Sequence, residues 1–323
     1  MKPIQKIIKL LKTHNSFALF THISPDGDAI GSCNALRLAL TRLGKTVYIY
    51  CDGEAPKNFK FIESNFETDP SHISEVEVCL MVDCNALDRT GKYQDYLKDA
   101  PILACIDHHQ RNKQKFTCKY IDSTSPSACD LVYKVIKSLK VKVDKEIARY
   151  LYIGSSTDTG GYRHTNTTAQ CHKIAGELLK TGFDLQETNF YLFKYKTLKQ
   201  IQFFKYVFKT FKTYLDGELL VVFVNNSVYR KFKDIIELGG VFDFLTGIDG
   251  NEIVAKIVER EKGIYTVGLR SNQYANVCNV VQTLGGGGHK MAAGCRVTDK
   301  SYKELLEILI EQCKSELKNG RDN

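Results

Sequence analysis

Short apolar runs alternate with segments of helical period through the first half of the chain. Residues 17–22, 46–50, 78–83 and 102–107 are strand-length runs of aliphatic and aromatic residues. The last two lack the polar alternation of a strand with one wet face, which predicts burial on both sides. Residues 28–43 place Ile30, Leu36, Leu40 and Leu43 on one helical face and stop at Gly44, the residue type that most readily takes the left-handed conformation closing a helix. Two further helices are predicted over 127–139 and 145–155. Strands alternating with helices predict an α/β domain, a parallel sheet with helices on both faces.

Over residues 185–214 the pattern becomes one long lysine- and aromatic-rich helix carrying Phe190, Phe193, Ile201, Phe204 and Phe208. Its lysines are read as a solvated face. Beyond Asp216-Gly217, strands are expected at 218–224, 252–259 and 264–270, a helix near 275–283, a glycine-rich loop at 285–289 and a closing helix over 302–317. The predicted organisation is an α/β domain over 1–185, a helical linker over 186–215 and a smaller α+β domain over 216–323.

Length supports two domains, because 323 residues exceed what one hydrophobic core usually fills. The longest apolar run, residues 219–224, is too short to cross a bilayer, and the first residues lack the apolar stretch of a secretory signal. A soluble cytoplasmic protein without membrane association is expected. Eleven cysteines without any C-x-x-C pair are expected to be reduced, with Cys79 and Cys105 as core filler. A net charge of +8 suits a polyanionic partner, although on charge alone simple solubility explains it equally well.

Candidate chemistry gathers where the strands end. Residues 17–22 run into His22-Ile-Ser-Pro-Asp26-Gly-Asp28, residues 78–83 end in Asp83, and residues 102–107 run into Asp107-His108-His109. A fourth cluster contains Thr157-Asp158-Thr159-Gly160. In an open parallel sheet, ligands bind beyond the carboxyl ends of the strands, so these distant residues converge on one edge. Taken singly, Asp26-Gly27-Asp28, Asp83 and Asp158 are ordinary turn, strand-end or helix-exit acids, whereas the Asp107-His108-His109 triplet ending an apolar strand is less easily dismissed. Together their carboxylates would repel strongly without cations, and mixed imidazole and carboxylate donors suit manganese, zinc or iron better than calcium.

The motifs His22-x-x-x-Asp26-x-Asp28, Val82-Asp83, Asp107-His108-His109 and Thr157-Asp158-Thr159-Gly160 resemble the four motifs of the DHH phosphoesterases. Gly285-Gly286-Gly287-Gly288-His289 resembles the substrate loop of the DHH-associated C-terminal domain, and Leu269-Arg270-Ser271 is a smaller echo ahead of it. The resemblance covers nearly the whole chain. The two-domain size is similar to the NrnA type of nanoRNase, which is also a phosphatase of 3′-phosphoadenosine 5′-phosphate (pAp). Gln110 departs from the proline common at that position, and only part of the usual pattern follows Arg270.

The resemblance implies two divalent metal ions, Mn2+ foremost, with His22, Asp26 and Asp83 on one and Asp28, Asp83, His108 and Asp158 on the other. It implies His109 and Asp107 as the catalytic pair, Asp107 orienting a histidine and His109 touching the scissile phosphate or protonating the leaving oxygen. Substrate binding would fall to Arg270, Ser271, Gly286, Gly287, Gly288, His289 and Arg163. The implied activity is hydrolysis of short oligoribonucleotides to mononucleotides and removal of the 3′-phosphate of pAp, by a hydroxide that two ions activate. Alternatives are a phosphodiesterase of cyclic di-AMP or linear pApA and, from another class, a non-catalytic nucleotide sensor, which the complete set of ligand positions disfavours. An inorganic pyrophosphatase fits less well, because the glycine-histidine loop is unlike the lysine-rich second domain of that family. Short single-stranded RNA or nucleotides are the expected partners, not long duplexes, since no RNA-recognition aromatics, zinc finger or arginine tract is present. A homodimer is compatible with all of this.

Overall fold

The computed structural model describes residues 1–56, 59–110, 113–236 and 240–321. It divides into two units, Met1–Tyr195 and Lys196–Asn323.

In the first unit α1 (Pro3–Thr13) precedes β1 (Ser16–Phe20), and then come α2 (Gly27–Arg42), β2 (Thr46–Tyr50), β3 (Val78–Val82), α3 (Gln94–Lys98), β4 (Leu103–Asp107) and β5 (Cys118–Ile121). Four helices complete it: α4 (Ala128–Ser138), α5 (Lys145–Asp158), α6 (Ala169–Leu179) and α7 (Leu185–Asn189). The five strands are parallel throughout, in the order β2-β1-β3-β4-β5. Alternate residues feed two cores, because side chains along a strand point to opposite faces. Phe17, Leu19, Leu80 and Ile106 pack with α1, α2, α4 and α5. On the reverse face Phe20, Met81 and Cys105 pack with Tyr93 and Leu97. Every residue of β3 and β4 is buried, as their apolar runs predict, with Asp107 at the end of β4 buried alongside them, and Gly44 closes α2 at φ 78°.

Glycines bring α2 and α5 together. A methyl on Gly31 would sit 2.4 Å from the Tyr150 carbonyl oxygen, and one on Gly154 would sit 2.7 Å from Asp28 Oδ1. No side chain fits either space, so the two helices cross nearly backbone to backbone, and this crossing fixes Asp28 beside the last turn of α5.

The single long helix expected over 185–214 is broken. After α7 comes a wider-wound turn, Phe190–Lys194, then extended backbone at Tyr195, and only then α8 (Leu198–Thr210). The cause is local: Thr197 caps a new helix, its hydroxyl accepting from the Gln200 N–H while the Gln200 side chain accepts from the Thr197 N–H, a reciprocal capping box.

The second unit continues with β6 (Lys212–Tyr214), β7 (Leu219–Val224), α9 (Asn226–Ile236), α10 (Val241–Leu245), β8 (Ile253–Glu261), β9 (Ile264–Ser271), α11 (Val277–Gln282), β10 (Gly287–His289), β11 (Ala292–Val297) and α12 (Tyr302–Arg321). Its sheet runs β10-β11-β9-β8-β7-β6, antiparallel except for the β7–β8 pair. Val221, Ile253, Val267 and Leu269 pack on α11 and α12, while Leu220, Val222, Val254 and Val258 pack on Phe203 and Val207 of α8 and Phe232 of α9. The eleven cysteines are free thiols. Among the described residues no helix is long and apolar enough to cross a membrane.

Candidate metal centre

All four polar clusters meet at the carboxyl edge of the first sheet. Beyond β1, the buried His22 leads to Asp26, which caps α2: its Oδ1 accepts from the Asp28 and Ala29 N–H groups at 3.0 Å each. The other oxygen of Asp26 faces His22 Nε2 at 3.9 Å. Asp28 is wholly buried. Its two oxygens accept from the Ala128 and Cys129 N–H groups, at 2.6 and 2.9 Å, in the first turn of α4, where exposed amide dipoles favour an anion.

Asp83 follows β3 directly, with φ of 56°, and its N–H still donates to the Ile106 carbonyl at 3.0 Å. The carboxylate faces two ways. Oδ2 lies 3.6 Å from His22 Nε2 and Oδ1 lies 3.4 Å from His108 Nε2. His108 Nε2 is also 3.2 Å from Asp158 Oδ2, at the end of α5, and 3.7 Å from Asp28 Oδ2. Asp107 closes β4, and its Oδ1 accepts from the His108 N–H and from His109 Nδ1, each at 2.8 Å. The His109 ring remains 42% exposed. Asn85 donates to the Gln110 carbonyl at 3.0 Å, tying the histidine pair to the end of β3.

Three groups of donor atoms lie within 4.8 Å of one another: His22, Asp26 and Asp83; Asp28, His108 and Asp158; and Asp83, Asp107, His108 and His109. Burial pushes the Asp28 carboxyl well above the usual range, and the charges of Asp83 and Asp158 push it further. Burial likewise raises Asp158, to about 6. For Asp83 burial acts upward too, but the His108 and His22 rings outweigh it and hold the group at about 2. Burial would lower His108, yet Asp158 and Asp83 raise it to about 11. Without another cation the His108 ring serves as a counter-charge to Asp83 and Asp158.

That arrangement is incomplete. Asp83 Oδ1, Asp107 Oδ2, His22 Nδ1 and His108 Nε2 are buried and have no hydrogen-bond partner, although buried polar atoms are nearly always paired. The 3.4 and 3.6 Å separations around Asp83 are too long for good hydrogen bonds. Imidazole nitrogens and carboxylate oxygens that face one another short of hydrogen bonding, as the unpartnered Asp83 Oδ1 and His108 Nε2 do, form a donor set that fits divalent transition metals.

Residues 16–155 match the family model described as DHH family, N-terminal domain, and residues 216–315 match the DHHA1 domain. The chain carries a DHH domain and a DHHA1 domain. It is 26% identical over 321 residues to a bifunctional oligoribonuclease and PAP phosphatase NrnA of Mycoplasma pneumoniae, covering 97% of this chain and 96% of the relative. The fold is similar to that of an exopolyphosphatase-related protein from Bacteroides fragilis, with a TM-score of 0.86 at 22% identity, covering 97% of this chain and 95% of the other. RecJ from Thermus thermophilus, solved in complex with Mn2+, gives a TM-score of 0.54 at 13% identity over 96% of this chain and 54% of RecJ.

In the DHHA1 unit Arg270 is exposed near the end of β9. Ser271 follows it, but its hydroxyl donates to Glu252 at 2.8 Å and its N–H to the Met291 carbonyl at 3.1 Å, so neither hydrogen is offered to a ligand. The glycine run is not a loop. Gly285, at φ 73°, and Gly286 donate to the Gln282 and Val281 carbonyls, at 3.0 and 2.8 Å, ending α11 in the manner of a Schellman turn. Gly287, Gly288 and His289 then form β10. In the DHH unit Arg163 is exposed, and its Nε donates to the Gly160 carbonyl at 2.7 Å. Glu252 is invisible in the sequence pattern. It is buried, and besides Ser271 it accepts from the N–H groups of Gln273, Tyr274 and Ala275 at 2.8–3.2 Å. The strand that follows it, Ile253–Glu261, itself carries Lys256, Glu259, Arg260 and Glu261, so one more acid at its start does not stand out.

Proposed function

We propose that this chain is a metal-dependent phosphoester hydrolase that degrades short oligoribonucleotides to mononucleotides and removes the 3′-phosphate of pAp. The observation that carries the reading is the buried, incompletely partnered set of imidazole and carboxylate atoms around Asp83. Similarity along nearly the full chain to an oligoribonuclease and PAP phosphatase supports the substrate class.

His22, Asp26 and Asp83 would hold one divalent cation and Asp28, Asp83, His108 and Asp158 a second, with Asp83 common to both. Manganese suits this donor set, and the similar RecJ fold was solved with it. Cations bound there supply Lewis acidity toward phosphate oxygens and acidify water near neutral pH. The chain supplies the rest. Asp28 stays fixed by the two α4 amides. Asp107 raises the pKa of His109 and holds its Nδ1, so that Nε2 can donate to a phosphate oxygen or to the leaving oxygen. Arg270 and His289 of the DHHA1 unit would bind a substrate phosphate.

The test is a product time course for the full chain with Mn2+ on di- to pentaribonucleotides, longer RNA, pAp, pApA and cyclic di-AMP. Mononucleotides from the short RNAs and AMP from pAp are expected, abolished by chelator and restored by Mn2+. No turnover of short RNA or pAp with the metal present would overturn the reading, and turnover of cyclic di-AMP or pApA alone would redirect it.

A further inference from the structure

Gly160, Gly161 and Tyr162 have φ of 58°, 70° and 64°, a left-handed run that begins two residues after Asp158. Glycine takes that conformation freely and tyrosine does not. The fold holds Tyr162 there against its local preference, with its ring packed on Tyr152 and His172 at 6.0 and 5.2 Å between centroids. Strained backbone of this kind gathers at ligand sites. The run turns the chain so that Gly161 meets a ring from another part of the same unit. A methyl on Gly161 would come within 3.5 Å of Phe193 Cζ and 3.8 Å of Arg163 Nε. Ring and guanidinium thus lie over one glycine, three positions past Asp158. Three residues span at most about 11 Å, so the ring stands within about a nucleotide's length of the candidate metal centre.

Phe193 belongs to the wider-wound turn Phe190–Lys194, a winding that recurs at functional sites. Two of its residues anchor the turn: Leu192 packs on the main core of the unit, and Tyr191 stacks on Phe61 with centroids 4.7 Å and planes 8° apart. The turn is therefore held in place, yet Phe193 is 39% exposed and Phe190 45%. Clustered exposed aromatics mark contact surfaces where single ones do not. Arg163, over the same glycine as the ring, and Lys194, next to it in sequence, are exposed as well. An apolar protein surface would gain nothing from these two cations. A ligand with a flat apolar part and negative charge gains from both, and a nucleotide is such a ligand.

We propose that Phe193 is a stacking platform for a nucleobase of the substrate, with Arg163 at its margin for an adjoining phosphate. The inference rests on the hydrolase reading above and deepens it by naming the ring in the DHH unit that grips a base. Stacking needs only a π face, which every base has, and that suits an enzyme acting on short RNAs of mixed sequence.

Calorimetric titration of the full chain with Mn2+ tests it with two probes that contain neither a phosphodiester nor a 3′-phosphate: AMP and ribose 5-phosphate. Wild type is expected to bind AMP about tenfold more tightly, within the range of one base stack. Phe193→Leu keeps the side chain apolar and removes the π face. It should raise the Kd for AMP about tenfold, leave that for ribose 5-phosphate unchanged and melt like wild type. Phe193→Trp should keep or widen the preference for AMP. Equal affinity of wild type for both probes, binding of neither, an undiminished preference for AMP in Phe193→Leu, or equal weakening of both probes in that variant would each overturn the proposal, the last by making Phe193 a packing residue. Hydrolysis of pAp with Mn2+ is scored separately. Turnover without base discrimination strikes this inference alone, and base discrimination without turnover strikes the hydrolase reading alone.

Discussion

Asp83 and Glu252 are both buried carboxylates, at 1% and 5% exposure, in opposite states of completion. Glu252 has a hydroxyl and three backbone amides of its own unit donating to it. Asp83 has one oxygen with no hydrogen-bond partner and imidazoles standing off at 3.4 and 3.6 Å. The chain itself supplies every partner that Glu252 needs, and around Asp83 it does not. Burial of an acid is therefore uninformative by itself, whereas the shortfall in partners separates a group that holds a loop from a candidate cation ligand.

Asp83→Asn tests that distinction most severely. Turnover should fall by about 10³-fold or more, while the metal-free chain melts close to wild type. A large loss of stability with turnover per folded molecule preserved would make Asp83 an architectural acid like Glu252. His109→Asn should lower kcat by about 10²-fold with metal content by atomic absorption unchanged. Loss of metal would instead place His109 among the donors. Glu252→Gln should show the reverse of Asp83, a destabilisation of about 2 kcal/mol in denaturant melts, because an amide cannot accept from every donor that the carboxylate satisfies. Normal melting would erase the contrast. The mildest effect is that of added Mn2+, which should stabilise the metal-free wild type by about 1.4 kcal/mol at tenfold excess over its Kd. Thermal melts of Asp83→Asn should not respond, and an equal response would place the binding elsewhere.

The apolar runs and helical periods of the DHH unit were legible because β3 and β4 are buried on both faces and α2 ends in a left-handed glycine. The convergence of His22, Asp83 and His108 was also legible, since each follows a strand of one parallel sheet. The partners of Asp28 were not. Its oxygens are met by Ala128 and Cys129, a hundred positions along the chain, and nothing local announces them. The short edge strand β5, with the mixed run Cys-Lys-Tyr-Ile, carries too weak an alternation to read. The break before α8 was written in Thr197 and Gln200, but the lysine and aromatic spacing runs straight through it. The glycine run was misjudged for a different reason: a left-handed helix end and a bare strand use the same residue for unrelated purposes.

The glycine crossing of α2 and α5 has a consequence for ion size. Asp28 and Asp158 are carried on helices whose separation is set by Gly31 and Gly154, so the span between their oxygens is a property of backbone contact. A methyl that pried the helices apart would lengthen the reach to any shared ion and shift preference from small radii toward large ones. Discrimination by size among cations bound there would then rest partly on two glycines that carry no donor atom in their side chains.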